Sequence, residues 1–354
     1  MSVIRSIVMF KNLIGNEHVK QTLNRLLANG RVSHSLLFAG DEGVGKRQFA
    51  LELARAFVCR DSENFQACGG CAACLRADVF VVPTSEKKDD YQQVFFTGHP
   101  DIGLVIPFKR NILVDAIRDL EREANFRPYE ARGRVFIIDD AEKMNDAAAN
   151  ALLKTLEEPP STTYVFLITS RPDSLLPTIR SRCQMVRFAP VATAEIERFL
   201  IDEKAFSFDE AHLAARLARG SIGRAVSIDV KQFRAERDRM LGVVRNAIQT
   251  GDRAALLRTS EEMNDAKNKD RFEQNIDILE SLIHDVWTLS VGADAGRLAN
   301  TDLADELGKL AANAGAIDLT KWLAEIETMR DNFAVNINRK IAADSLFMTM
   351  ANSR

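Results

Sequence analysis

Apolar residues follow two alternating patterns along the first 190 positions. Short runs that are apolar at nearly every position predict strands at 35–39, 102–106, 135–139, 164–168 and 185–188. Between these runs, residues 46–58 and 111–123 repeat apolar side chains at the spacing of one helical face. Strands that are apolar on both faces and alternate with helices are typical of a parallel sheet covered on both sides. We therefore predict a doubly wound α/β domain.

The pattern changes after Pro190, where the strand signals end. Residues 191–230 contain two or three short helical segments that glycines interrupt, and residues 231–354 have the pattern of longer helices. The sequence thus predicts three parts: an α/β domain over 1–190, a small helical domain over 191–230 and a helical bundle over 231–354.

Composition and charge narrow the possible functions. The 354 residues include 47 Lys and Arg against 50 Asp and Glu, which gives a net charge of −3. Binding of bare nucleic acid through overall charge is therefore not expected. No apolar run approaches the roughly 18 residues of a membrane helix, and the N-terminal stretch lacks the long apolar core of a signal peptide. We expect a cytoplasmic protein.

A candidate phosphate-binding loop joins the first predicted strand to the next helix. The segment GDEGVGKR at 40–47 fits the P-loop frame G-x-x-x-x-G-K. Gly40, Gly43 and Gly45 would let backbone N–H groups curl around phosphate oxygens, and Lys46 would reach the terminal phosphates. A plain glycine-rich turn is the alternative, but the strand before the loop and the helix after it favour a P-loop.

Two positions depart from the pattern of an active ATPase. The residue after the lysine should supply a hydroxyl to Mg²⁺, but here it is Arg47, a permanent cation without a lone pair. Asp139 would hold Mg²⁺ through water at the end of the third predicted strand. Asp140 follows it where a longer Glu usually positions the attacking water, and a displacement of about 1 Å can cost about a hundredfold in rate. We predict that ATP and Mg²⁺ binding is weak or absent.

Four of the five cysteines lie close together in the sequence. Their spacing is Cys59-x8-Cys68-x2-Cys71-x2-Cys74. In a reducing compartment such a cluster favours a metal over disulfides, and four thiolates complete the tetrahedral shell of a structural zinc ion. Incidental thiols and an iron–sulfur cluster are the alternatives, although the spacing lacks the final x3-Cys-Pro of the bacterial ferredoxin pattern. We therefore predict a zinc module over 59–74.

Three further polar residues are candidates for contacts with nucleotide. Ser170 closes the fourth predicted strand, where its hydroxyl could sense phosphate or simply cap the strand end. Arg224 begins a helix in the second part and could reach nucleotide or remain in solvent. Arg182 precedes the last predicted strand, and it is either a surface ion-pair residue or an arginine finger offered to the γ-phosphate of a neighbouring subunit.

These motifs resemble those of the bacterial clamp-loader ATPase family of the AAA+ class, and the resemblance covers nearly the whole chain. It rests on LIGN at 13–16, GDEGVGKR at 40–47, the four-cysteine insertion, VFIIDDAEKMNDAAANALLKTLEEPP at 135–160, IRSRCQ at 179–184, GSIGR at 220–224 and NINRK at 336–340. The resemblance implies an AAA+ core with a zinc-binding insertion, a small helical lid and a helical collar that oligomerises.

The resemblance also implies an assembly and a role in it. Members of the family form a five-subunit loader, part of the DNA polymerase III holoenzyme, that opens the sliding clamp and places it on primed DNA. The gamma/tau motor subunit keeps Thr after the lysine and Glu after the aspartate. Arg47 and Asp140 therefore imply an ATPase-deficient companion of the gamma/tau and delta subunits, with Arg182 acting in trans. An active gamma/tau-type ATPase and a zinc nucleic-acid-binding module with a vestigial P-loop are the alternatives.

One segment departs from the family pattern. Residues 77–98 are longer than the usual link between the last zinc cysteine and the second strand. Two short apolar runs on either side of a polar stretch predict a hairpin there.

Overall fold

The computed structural model describes residues 10, 12–61, 66–81, 85–265, 271–333 and 338–352. The chain divides into two compact units, Met1–Ser227 and Ile228–Arg354. The helices between Pro190 and Ser227 therefore belong to the same unit as the sheet, and the three-part division at 190 and 230 stays a prediction. Every helix in the described residues is too short or too polar to cross a lipid bilayer.

The first unit is built on a six-stranded sheet. Its strands are β1 (Ser35–Ala39), β2 (Phe95–Phe96), β3 (Ile102–Val105), β4 (Arg134–Ile138), β5 (Thr163–Thr169) and β6 (Gln184–Arg187). Their order across the sheet is β2-β3-β4-β5-β1-β6, and all neighbours are parallel except β2, which runs antiparallel to β3. The five predicted strands and their parallel pairing are confirmed. The two-residue β2 was not among the five predicted strands and lies in the second apolar run of the predicted 77–98 hairpin.

Helices cover both faces of this sheet. The helices of this unit are α1 (Glu17–Ala28), α2 (Lys46–Val58), α3 (Ala72–Ala77), α4 (Val114–Ala124), α5 (Asp146–Glu157), α6 (Pro177–Arg182), α7 (Thr193–Lys204), α8 (Phe208–Leu217) and α9 (Ile222–Ser227). The last three, α7 to α9, pack on one another. Leu23 of α1 and Phe49 of α2 belong to the apolar core on one face, and Ile117 of α4 and Leu152 of α5 to the core on the other. Each such buried side chain contributes about 1.5–3 kcal/mol. With helices on both faces of the sheet, every residue of β1 and β4 is buried.

Parallel strands bring their carboxyl ends to a single edge of the sheet. Gly40 follows β1, Asp139 follows β4 and Ser170 follows β5, and these three strands are neighbours. Asn145 then starts α5, because its side-chain oxygen accepts a hydrogen bond from the N–H of Ala148 at 2.9 Å. Gly40, Asp139 and Ser170, which lie up to 130 positions apart in the sequence, are thus neighbours at one edge of the sheet.

The second unit is entirely helical in the described residues, in agreement with the helical pattern of the sequence. Its helices are α10 (Val230–Gln249), α11 (Arg253–Asn264), α12 (Phe272–Ser290), α13 (Ala304–Ala311), α14 (Ala316–Phe333) and α15 (Arg339–Ala351). Buried apolar residues such as Met240, Leu279 and Phe347 form its core. Residues 334–337, which include the start of the NINRK stretch, lie outside the described residues.

The hairpin predicted over 77–98 is not found in the described residues. Val94 leads into β2, which pairs with β3 further along the chain, and residues 79–81 form no strand. The two runs still approach each other, since the N–H of Gly98 donates to the carbonyl of Val79 at 2.7 Å. Residues 82–84, between them, lie outside the described residues.

Candidate nucleotide and metal sites

A small cavity lies at the carboxyl edge of the sheet, where the sequence predicts phosphate binding. The residues that line it are Glu42, Gly43, Gly45, Lys46, Arg47, Gln48, Asp139, Asp140, Ile168 and Ser170. Its volume is about 250 Å³, whereas pockets for small ligands usually measure about 300–1,000 Å³. The fold therefore brings most of the predicted phosphate-site residues together, around a space that is small for a nucleotide.

The loop that opens this cavity has the backbone of a phosphate cradle. Gly43 and Gly45 have φ angles of +76° and +98°, in the left-handed region that favours glycine. The carbonyl of Gly43 accepts a hydrogen bond from the N–H of Gly223, at 3.0 Å. Arg224 is the next residue of α9 and its side chain is exposed. The structure thus brings the predicted Arg224 position close to the P-loop, but not into the lining of the cavity.

Lys46 makes its hydrogen bonds within its own loop. Its amine donates to the carbonyls of Gly40 and Asp41, both at 2.6 Å. Burial lowers the pKa of Lys46, although the nearby carboxylates of Glu142 and Asp139 oppose that shift. The amine that would reach terminal phosphates is therefore already satisfied by backbone oxygens.

Arg47 lies against Asp139, the residue that the sequence analysis expects to hold Mg²⁺. Its guanidinium donates a hydrogen bond to the carboxylate of Asp139 and forms an ion pair with it. Asp139 is buried, and burial raises its pKa while the charge of Arg47 acts in the opposite direction. A buried carboxylate needs a cation or strong donors beside it. In this chain a side chain supplies that cation.

Ser170 is also engaged within the protein, by a residue that the sequence analysis missed. The hydroxyl and the backbone N–H of Ser170 both donate to Oε1 of Glu142, the latter at 3.1 Å. Burial alone would raise the pKa of Glu142, but hydrogen bonds from Ser170 and Thr169 lower it. The position of Glu142, three residues after Asp139 in an acidic run, was a signal for this role.

Asp140 differs from the other acidic residues at this edge. Its backbone has a φ of +49°, and its carboxylate accepts a hydrogen bond from Nζ of Lys143 at 2.8 Å. Lys46, Arg47, Asp139, Asp140 and Ser170 therefore all have partners inside the chain. The glycine cradle fits a phosphate, but no hydroxyl stands at position 47 to hold Mg²⁺, so the residues fit a nucleotide only in part.

The four clustered cysteines converge in space. Their sulfur atoms all lie within 4.8 Å of one another, and those of Cys68 and Cys74 are 4.0 Å apart. A tetrahedral zinc ion with Zn–S bonds of about 2.3 Å requires sulfur separations of roughly 3.8 Å. Backbone N–H groups point at two sulfurs, from Cys68 to Cys59 at 3.2 Å and from Cys71 to Cys68 at 3.3 Å. The donor set fits a structural zinc, with no position left for another ligand.

The thiols of this cluster have unequal acidities. Burial alone would raise the pKa of Cys71, but hydrogen bonds from the backbone N–H groups of Cys74 and Arg60 lower it to about 6. Burial raises the pKa values of Cys59 and Cys74. Zinc binds thiolates, so its binding would release protons from Cys59 and Cys74, whose burial favours the thiol form.

An acidic residue connects the cysteine module to the sheet, and sequence reasoning did not find it. Glu130 accepts hydrogen bonds from Arg60, next to Cys59, and from Arg76, two residues after Cys74. Buried His99 also lies against it, with Nε2 3.2 Å from Oε1 of Glu130. Asp101 fixes the Glu130 loop by accepting three backbone N–H bonds at 2.9–3.1 Å. No local pattern in the sequence indicates these long-range pairs.

Arg182 lies away from the P-loop cavity, at the last residue of α6. Its Nη2 is 2.7 Å from a carboxylate oxygen of Glu157, and its Nη1 donates to the carbonyl of Thr178 at 3.0 Å. About a third of the side chain is exposed. The surface ion pair that the sequence analysis kept as an alternative is thus present, and a partly exposed guanidinium accompanies it.

Comparison with known proteins adds to this geometry. Residues 15–192 match the family described as DNA polymerase III, delta subunit, and this match covers half of the chain. The chain belongs to this family. Its resemblance to clamp-loader proteins, which the sequence motifs indicate, is thereby confirmed.

Three proteins similar to this chain illustrate the extent of the similarity. The chain is 29% identical over 324 residues to DNA polymerase III subunit delta' of Escherichia coli K12, covering 90% of this chain and 89% of that protein. It is 28% identical over 323 residues to subunit delta' of Bacillus subtilis 168, covering 90% and 91%. With subunit gamma/tau of Mycobacterium tuberculosis H37Rv the identity is 35%, but over only 173 residues, 49% of this chain and 27% of that protein.

The Arg47–Asp139 pair predicts a measurable effect on stability. Arg47→Thr leaves the buried carboxylate without its cation, so we expect the free energy of unfolding to fall by about 1–3 kcal/mol in denaturant titrations. Gln48→Thr, at the next exposed position of α2, controls for the helix propensity of Thr. Because Thr restores a hydroxyl, Mg²⁺ with ATP should stabilise Arg47→Thr more than the parent chain. Equal stability of Arg47→Thr and Gln48→Thr would contradict this account of the pair.

The cysteine geometry predicts metal content. The purified chain should contain about one zinc ion. Cys71→Ser should lower that content sharply, because only three of the four thiolate ligands remain. Cys183→Ala removes the buried cysteine outside the cluster and should leave the zinc content unchanged. Elemental analysis of the three proteins measures this. Iron, or no metal, in the parent chain would exclude the zinc site.

Proposed function

We propose that this chain acts as a delta'-type subunit of a bacterial DNA polymerase III clamp loader. In this role it helps ATP-driven loading of the sliding clamp onto primed DNA and hydrolyses little or no ATP itself. Similarity to two delta' subunits over about nine-tenths of the chain supports the role in the loader. The observation that carries the ATPase deficiency is the ion pair between Arg47 and Asp139.

The physical case for a deficient ATPase has three steps. Mg²⁺ would have to displace the guanidinium of Arg47 from Asp139. It would also find no hydroxyl ligand at position 47. Lys46 would have to leave two backbone carbonyls before it could bind phosphate. Asp140 is shorter than the usual glutamate. Each step weakens binding or rate independently, so we infer that nucleotide is bound weakly or not at all.

Arg182 supplies the function that such a subunit can still offer. In this proposal its guanidinium enters the active site of a neighbouring gamma/tau subunit and stabilises the charge that develops on the γ-phosphoryl group. A guanidinium is planar and permanently charged, and it can bind two phosphate oxygens at once. The partial exposure of Arg182 at the end of α6 supports this role.

The remaining parts of the chain have roles in assembly. We propose that residues 191–230 form a helical lid and residues 231–354 a collar that joins the gamma/tau and delta subunits, through which the chain meets the sliding clamp and primed DNA. The zinc module over 59–74 is structural in this proposal. A replication role would place the protein in the cytoplasm with the chromosome.

An active gamma/tau-type ATPase is the alternative, and the 35% identity to a gamma/tau subunit over 173 residues favours keeping it in the test. The pure chain should show negligible Mg²⁺-dependent ATP turnover, whereas a loader reconstituted with the gamma/tau and delta subunits of the same organism should turn over ATP. Robust turnover by the pure chain would favour the alternative.

Arg182→Ala tests the arginine finger in the reconstituted loader. Because fingers of this type contribute about 10³–10⁵ in rate, hydrolysis at the motor site that faces this chain should nearly cease, and clamp loading should fall with it. Arg182→Lys should restore little, since an ammonium lacks the planar fork. Zinc content and assembly should not change.

The matched control for this test is Arg180→Ala. Arg180 lies two residues earlier in α6 and also forms an ion pair, with Asp173 at 2.6 Å. Its loss should leave ATP hydrolysis and clamp loading close to the parent values. If Arg182→Ala leaves ATP hydrolysis and clamp loading as close to the parent values as Arg180→Ala does, Arg182 is only a surface ion-pair residue.

A further inference from the structure

Both terminal nitrogens of Arg182 are engaged by acceptors in its own chain. Nη2 lies 2.7 Å from Oε1 of Glu157, and Nη1 donates to the carbonyl of Thr178 at 3.0 Å. These contacts use two of the five guanidinium N–H donors, and the Glu157 carboxylate offsets the positive charge that Arg182 could offer to a phosphate. We infer that Glu157 holds Arg182 in a withdrawn position and competes for it with the phosphate of the neighbour's nucleotide, an inference that rests on the proposed role of Arg182.

Buried neighbours anchor the backbone next to each member of this pair. Glu157 is the last residue of α5, and the buried side chain of Leu156 precedes it. Arg182 ends α6, one turn after the fully buried Ile179. Both apolar residues belong to the same core. Release of Arg182 therefore requires rotation about side-chain bonds and no rearrangement of helices.

The helix geometry does not by itself account for a carboxylate at this position. A negative charge at the C-terminal end of a helix is unfavourable, because the last carbonyl groups already point there, whereas a cation is favoured. Glu157 carries its carboxylate at such an end of α5, and Arg182 carries its cation at the end of α6. Contact with Arg182 offsets the unfavourable position of Glu157, so the two residues form a matched pair.

The exposure of the pair indicates how firmly it holds. The side chains of Arg182 and Glu157 are 35% and 49% exposed. Ion pairs this exposed change an equilibrium constant by only about 1.5- to 5-fold. Charge-assisted contacts of arginine with a phosphate group are stronger, and the charge on the γ-phosphoryl group grows in the transition state. The pair is thus strong enough to bias Arg182 toward withdrawal and weak enough for bound nucleotide to break.

Charge removal at Glu157 tests this competition in the reconstituted loader. With Glu157→Gln, ATP turnover at the motor site facing this chain should rise about 1.5- to 5-fold, because Arg182 spends more time available to the phosphate. The matched control is Glu158→Gln, which removes an exposed carboxylate from the adjacent position. It should leave turnover unchanged. In the Arg182→Ala background, Glu157→Gln should have no effect on turnover.

The outcomes separate this inference from the proposed function. If Arg182→Ala lowers turnover but Glu157→Gln leaves it unchanged or lowers it, withdrawal by Glu157 is wrong and the finger stands. If Arg182→Ala has no effect, the finger role fails and the inference fails with it. A rise with Glu157→Gln that persists without Arg182 would also overturn the inference. Thermal unfolding and zinc content of each variant exclude a general loss of structure as the cause.

Discussion

A buried carboxylate at the end of β4 needs a cation, and the choice of cation decides what this edge of the sheet can do. Asp139 is held in low-dielectric surroundings, where an unpaired charge is costly. With Mg²⁺ as its partner it would support phosphoryl transfer, since the metal also binds the phosphates. With Arg47 as its partner, the negative charge of Asp139 is balanced by a side chain that stays protonated. The same constraint then extends to Lys46 and Ser170, whose polar groups also have protein partners.

The two arginines of the proposed function use one chemical group in opposite ways. Arg47 directs its guanidinium inward to a buried carboxylate, where removal would leave a charge unsatisfied. Arg182 directs its guanidinium along the surface to an exposed carboxylate, where the contact costs little to break. Asp139 is buried and Glu157 is exposed, so breaking the Arg47 pair costs more free energy than breaking the Arg182 pair. In the proposed role, this difference would let a subunit with little ATPase activity of its own act in a neighbour's site.

Sequence patterns predicted the features that depend on local spacing. Continuous apolar runs located five strands, the glycine-rich segment located the phosphate cradle, and the cysteine spacing located four sulfurs that converge in space. Contacts between distant residues were beyond such patterns. Neither the capture of Ser170 by Glu142 nor that of Arg60 and Arg76 by Glu130 has a periodic signature. The apolar run that contains β2 was expected to pair within the 77–98 hairpin, because local spacing does not show that its partner is β3.

The P-loop has a structural role in this chain that does not depend on nucleotide. A Cβ atom at Gly40 would lie 2.6 Å from the carbonyl oxygen of Phe188, closer than real contacts allow. The chain after β1 can therefore pack this closely against the residue after β6 only with glycine at position 40. At Gly43 the loop accepts a backbone hydrogen bond from Gly223, which fixes the start of α9. Loss of ATP hydrolysis would therefore leave the loop's glycines required for packing. These two packing contacts account for a complete glycine frame in a loop whose metal-binding position, residue 47, lacks a hydroxyl.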